Sequence, residues 1–68
     1  MEIWIARDKD GLLYLYDYEP QKNEILGRFT GSIKSNGDWS EEYELNSRLF
    51  PQLTFENSPQ KVELKLIK

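Results

Sequence analysis

Ile3-Trp4-Ile5-Ala6-Arg7-Asp8-Lys9-Asp10-Gly11-Leu12-Leu13-Tyr14-Leu15-Tyr16 is the stretch whose reading decides the fold. Two runs of β-branched, aliphatic and aromatic residues flank Asp8-Lys9-Asp10-Gly11, which predicts a two-stranded hairpin. Gly11 supplies the positive φ that a type I turn followed by a G1 bulge requires. Such a turn sets the register. Asp8 lies opposite Leu12, Arg7 opposite Leu13, Ala6 opposite Tyr14, Ile5 opposite Leu15, Trp4 opposite Tyr16 and Ile3 opposite Asp17. Because successive side chains alternate between faces, one face of the hairpin is aliphatic and the other aromatic.

The rest of the chain is short. Its 68 residues leave room for a single domain, residues 1–68, and a domain near that size buries only about 60% of the surface its unfolded chain exposes. The absence of cysteine and histidine removes disulfides, thiolate and imidazole metal ligands and the usual nucleophile–base pairs, and it suits a reducing compartment. Met1-Glu2-Ile3-Trp4 lacks the basic head and long apolar run of a signal peptide. The longest apolar run, Leu12 to Tyr16, is too short to span a bilayer. A soluble, cytoplasmic protein with no membrane partner is the expectation. A net charge of −3 and a pI near 4.8 disfavour non-specific attraction to nucleic acid or anionic lipid.

Beyond the hairpin, Glu19-Pro20-Gln21-Lys22-Asn23 reads as a break. Glu24 to Thr30 reads as a third strand with Ile25 and Phe29 on one face, and Gly27 between them leaves room for a ring from Tyr14 or Tyr16. Asn36-Gly37 predicts a type I′ turn between Ser32–Ser35 and Asp38-Trp39. Trp39 to Phe50 admits two readings. With period two, Trp39, Glu41, Tyr43 and Leu45 share a face while Ser40, Glu42 and Glu44 point to water; as a helix, Ser40 would cap it. Aromatic content favours the strand. Asn46 or Ser47 then caps a single helical turn near residues 47–51, stopped by Pro51, with Leu49 and Phe50 plugging the open end of the sheet. Gln52 to Phe55 is a short extended piece and Glu56-Asn57-Ser58-Pro59 a turn. In the last strand Lys61, Glu63 and Lys65 alternate with Val62, Leu64 and Leu66, so one face is buried and the other solvated. The fold expected is all-β, a small antiparallel sheet or partly closed barrel of about five strands. Its main core is Ile3, Ile5, Leu13, Leu15, Val62, Leu64 and Leu66.

The opening Trp4 to Leu12, with Leu49-Phe50-Pro51, Thr54 to Pro59 and Val62-Glu63-Leu64, resembles a family of small uncharacterised proteins of gut Bacteroidetes and their phages or mobile elements. That resemblance covers both ends, residues 19–44 being variable in the family. It implies a bacterial or phage cytoplasm and brings no activity, cofactor or catalytic residue with it.

Three constellations bear on function. Asp8-x-Asp10-Gly11 echoes a calcium loop, but aligning Gly11 with the loop glycine puts Ala6 at the first ligand position and Asp17 at the last, so turn chemistry explains it better. Trp4, Tyr14, Tyr16 and Tyr18 read either as a stacking platform for single strands, as a protein-binding patch, or as a second small core covered by the middle hairpin or the Leu49-Phe50 turn. Lysine and arginine do not interleave with these rings in sequence, which counts against nucleic acid. Asp38, Glu41, Glu42 and Glu44 form an acidic run, which is a solvated strand face or a surface for a basic partner.

Two carboxylates working as acid and base need a pocket to separate their pKa values, so no enzymatic activity, metal or cofactor is expected. The function read from these features is a protein-interaction module, such as an accessory or anti-defence protein of a phage or mobile element. Its candidate contact residues are Trp39, Tyr43, Glu41, Glu42 and Glu44, with whichever of Tyr16 and Tyr18 is exposed. Self-association through the same patch, giving a homodimer, is the nearest competitor. A nucleic-acid-binding β domain using the aromatic face is the alternative.

Overall fold

Asp8 to Leu12 turn the chain as their sequence predicts. The Asp8 N–H donates to the Leu12 carbonyl at 2.8 Å, the Gly11 N–H donates to the Asp8 carbonyl at 3.0 Å, and Gly11 takes a φ of 96°. The computed structural model describes residues 2–63, in which β1 (Glu2–Arg7) and β2 (Leu13–Tyr16) pair in the expected register, Trp4 opposite Tyr16 through Arg7 opposite Leu13. Four further strands follow: β3 (Gln21–Asn23), β4 (Arg28–Thr30), β5 (Glu42–Leu45) and β6 (Gln60–Glu63). The molecule is all-β, with a four-stranded antiparallel sheet in the order β5-β2-β1-β6 and a separate β3–β4 ribbon. Among the described residues the larger sheet is open and does not close into a barrel. The period-two reading of residues 42–45 is correct, and the last strand pairs with β1.

Both faces of the sheet are buried over its central strands, β1 and β2. On the aliphatic face Ile5, Leu13 and Leu53 form a cluster flanked by Leu15, Leu45 and Val62. On the aromatic face Ala6, Tyr16, Phe29 and Phe55 pack together, with Trp4 and Tyr14 half-buried against them. The rings of Phe29 and Phe55 meet edge to face at 5.6 Å. The aromatic face is therefore mainly a second core, and it is the β4 strand and Phe55 that cover it. Ile3 and Ile5 are buried as expected, and Leu15 and Val62 are half-buried. Leu64 and Leu66, assigned to the core from the sequence, lie outside the described residues.

Several expectations are corrected. Residues 24–27 are a turn, and Gln21–Asn23, read as a break, is a strand. Asn23 makes this turn: its carbonyl accepts the Gly27 N–H at 2.9 Å and its side chain accepts the Leu26 N–H at 3.0 Å, which leaves Ile25 fully exposed. Gly27 has a φ of 68°, and a Cβ there would meet the Lys9 side chain at 3.0 Å, so the glycine admits Lys9 and not a tyrosine ring. The Asn36-Gly37 turn is not type I′, because of its two residues only Gly37 has positive φ. It repeats the first hairpin. The Lys34 N–H donates to the Asp38 carbonyl, the Gly37 N–H donates to the Lys34 carbonyl, and Asn36 caps Asp38 as Asp10 caps Leu12.

No helical turn forms near residues 47–51. Two successive β-turns do, closed by Leu49 N–H to the Asn46 carbonyl and Leu53 N–H to the Phe50 carbonyl. Leu49 and Phe50 are exposed and plug nothing. Leu53 and Phe55 seal the sheet instead, one on each face, and Arg7 holds them there. The Arg7 guanidinium donates to the carbonyls of Leu53, Gly11, Ser47, Leu49 and Phe50 at 2.6 to 3.1 Å, and its backbone N–H donates to Ser58 Oγ at 3.0 Å. An irregular segment has no ladder to satisfy its carbonyls, and the planar five-donor fork of arginine takes that part. Arg7→Met is expected to lower stability by about 2 to 4 kcal/mol, with Arg7→Lys recovering less than half, because three donors on one nitrogen do not match the fork. Chemical denaturation checks this, and a midpoint within error of the wild type for Arg7→Met would contradict it.

Candidate functional site

An open groove of about 680 Å³ lies on the aromatic face, between the β1–β2 turn, β2, β5 and the β3–β4 turn. Tyr14, Tyr16 and Phe29 form its floor. Asp8, Asp10, Glu24 and Glu42 bring carboxylates to its lining, against Lys9 and Arg28. Leu12, Ile25 and Leu26 give it an apolar rim, with Ile25 97% and Leu26 62% exposed.

The walls are set by local hydrogen bonding. Asp8 Oδ1 accepts the Phe29 N–H at 2.9 Å and the Lys9 N–H donates to the Gly27 carbonyl at 2.8 Å, so the tip of the first hairpin is tied to the β3–β4 ribbon. Glu42 is carried in by the register of β5, which places it opposite Tyr16, and Glu44 lies on the same side of the sheet opposite Tyr14, outside the groove lining. Tyr14 and Tyr16 lie with ring centroids 6.3 Å apart.

The electrostatics of the groove are negative. Burial, followed by the Glu42 and Asp8 carboxylates, raises the Tyr16 hydroxyl above the ordinary tyrosine range. Burial and then Glu44 do the same to Tyr14. Asp8 is pushed up by burial, which outweighs the lowering by the Phe29 N–H, and Asp10 adds to the rise.

The residues singled out from the sequence are divided between the two faces. Glu42 and Glu44 reach the groove side. Tyr43, opposite Leu15, is on the aliphatic side, where its hydroxyl donates to the Glu41 carboxylate and is raised chiefly by that bond. The Glu41 N–H donates to Asp17, whose carboxylate is held below its ordinary value by Lys34. Trp39 is 68% exposed and bridges to Ile33 in the second hairpin. Tyr18 is partly exposed and lines a separate, smaller hollow with Trp4, Asp17 and Glu19. Tyr16 is corrected: at 1% exposure it is core and groove floor, not a protruding anchor.

Sequence reading missed Glu24, Ile25, Leu26 and Arg28, because it placed them in a strand. The signal was present in Asn23 and Gly27, which bracket the turn that presents these residues.

The carboxylates of the Asp8-x-Asp10-Gly11 turn accept backbone N–H groups, Asp8 from Phe29 and Asp10 from Leu12. Among the described residues no group of three or more carboxylates is placed to hold a metal ion, and no helix is long and apolar enough to cross a membrane. Comparison with protein-family models, with curated proteins and with solved structures finds no match.

The raised Asp8 carboxyl yields a pH prediction. The folded chain binds this proton more tightly than the unfolded chain, so ionised Asp8 weakens the fold at neutral pH. The penalty shrinks as pH falls through the raised value and is gone below the ordinary value of 3.8, where both states are protonated. Asp8→Asn keeps an oxygen for the Phe29 N–H, and it is expected to raise Tm at pH 7 with a gain that disappears below that value. Thermal melts across this range check it, and an unchanged or lower Tm at pH 7 would contradict it.

Proposed function

We propose that this chain is a protein-interaction module that receives a lysine- or arginine-rich segment of a partner protein in the groove. The observation that carries the reading is the pairing of a tyrosine floor with Asp8, Asp10, Glu24 and Glu42 around it. Half-buried Tyr14 offers aromatic contact area at low entropic cost, with Tyr16 and Phe29 buried beneath the groove, and the carboxylates steer and orient a cationic partner. The exposed Ile25 and Leu26 beside them suit the aliphatic stems of the same basic side chains. The resemblance to proteins of gut Bacteroidetes and their phages or mobile elements implies a bacterial or phage cytoplasm, and the role proposed there is an accessory or anti-defence one.

Nucleic acid fits this surface less well. Lysines do approach rings on the aromatic face, Lys61 over Trp4 and Lys9 and Lys22 over Phe55, which the linear order of residues did not suggest. They cover those ring faces, however, while the two groove tyrosines sit among carboxylates that repel phosphates.

The test compares three baits in capture from the native cytoplasm: wild type, Glu24→Lys with Glu42→Lys, and Glu41→Lys on the other side of the sheet. A basic protein retained by wild type and by Glu41→Lys, and lost with the groove variant, is the expected result. Recovery of the same proteins by all three baits, or of nucleic acid alone by the wild type, would overturn the reading.

A further inference from the structure

β5 is an edge strand, and its hydrogen-bonding pattern leaves a defined opening. Across the first turn the Asp8 N–H donates to the Leu12 carbonyl, so by the alternation of an antiparallel ladder Tyr14 and Tyr16 bond to β1 while Leu13, Leu15 and Asp17 bond toward β5. The Asp17 N–H donating to the Glu41 carbonyl, directly opposite, fixes the same phase. Tyr43 and Leu45 therefore turn their backbone groups inward to Leu15 and Leu13, and Glu42 and Glu44 turn theirs outward. The opening is bounded at both ends. The Ser40 N–H is taken by the Ser32 carbonyl, and the Asn46 carbonyl by the Leu49 N–H. Among the described strands β5 touches β2 alone, and Glu42, Tyr43 and Glu44 are all exposed.

We propose that this edge is a strand-addition site, at which a short extended segment of a partner protein with lysine or arginine at alternate positions pairs with Glu42 and Glu44. The inference rests on the proposed basic partner and specifies how that partner is held. An added strand places its side chains in the same alternation as β5, so its alternate residues stand beside the Glu42 and Glu44 carboxylates on the groove side. The intervening residues stand beside Tyr43 and suit an apolar type. A second copy of this chain is the poorer occupant, because β5 against β5 sets Glu42 and Glu44 of one copy among the same carboxylates of the other. Proline, lysine and bulges, which commonly blunt exposed edges, are absent from Glu42–Leu45. Its carboxylates repel a like edge and attract a basic one.

The probe is a blocked seven-residue peptide of alternating lysine and valine, titrated into the full ¹⁵N-labelled chain. Two comparison peptides carry glutamate in place of lysine, or N-methyl groups on alternate residues of the bonding edge. The expected result is saturable binding with slowed exchange of the Glu42 and Glu44 amides. N-methylation weakens it about tenfold or more, as loss of two backbone hydrogen bonds implies, and the glutamate peptide does not bind.

Binding with shifts at Tyr14 and Glu24, without protection of the two amides and indifferent to N-methylation, would overturn strand addition and leave the groove reading standing. No saturable shift anywhere would overturn strand addition and remove this support for the groove as well. Protection of the same amides in peptide-free protein at high concentration, with dimerisation, would assign the edge to a second copy and overturn the proposal.

Discussion

The converging of five carbonyl oxygens on the Arg7 guanidinium is the constraint on which the rest of the structure depends. Four of them belong to the irregular segment after β5, and the fifth to Gly11 in the first turn. The same residue anchors the other flank through its backbone: continuing the β1–β6 register would set Ser58 opposite Arg7, and there Ser58 Oγ accepts the Arg7 N–H in place of a ladder bond. With that segment fixed, Leu53 falls on the aliphatic face and Phe55 on the aromatic face. The left-handed backbone of Phe50, φ 50°, costs on the order of 1 kcal/mol and is held in place by bonds to its carbonyl from Arg7 and Leu53. A small sheet whose central strands are buried on both faces thus relies on one charged side chain to close it.

That arrangement decides where function can reside. With Phe29 and Phe55 covering the end of the aromatic face near Ala6, Trp4 opens toward the smaller hollow beside Tyr18, and Tyr14 toward β5 and the β3–β4 turn. Asp8 links the two. Its carboxylate ties Phe29 to the first hairpin while contributing negative charge to the groove, and its raised pKa reflects the cost of burial in an already acidic setting.

The hairpin, its turn and its register were legible because Gly11 and the alternation of Ile3 to Tyr16 act through nearest neighbours alone. The same holds for β6, where period two is unbroken, whereas β5 lies in a stretch whose sequence also admitted a helix. What escaped the sequence was set by distant partners. Leu53 and Phe55 are ordinary residues of a short loop until Arg7, more than forty positions earlier, places them, and nothing local distinguishes Arg7 from any arginine on a strand. Phe29 and Ile25 have the spacing of one strand face, but Asn23 and Gly27 close a turn that buries the first and exposes the second. The candidate contact residues grouped from the sequence do not share a face. The register sends Glu42 and Glu44 to one side and Tyr43 to the other, and Tyr16 into the core.

Native-state hydrogen exchange tests most directly whether the Arg7-bound segment and the sheet are one cooperative unit. The Leu53 amide, bonded to the Phe50 carbonyl, and the Arg7 amide, bonded to Ser58, are predicted to open with the same free energy as the Ala6 and Tyr16 amides at the centre of the sheet. Exchange of Leu53 at a near-unprotected rate while Ala6 and Tyr16 remain protected would show that the segment opens by itself, and would contradict the closure of the sheet by Arg7.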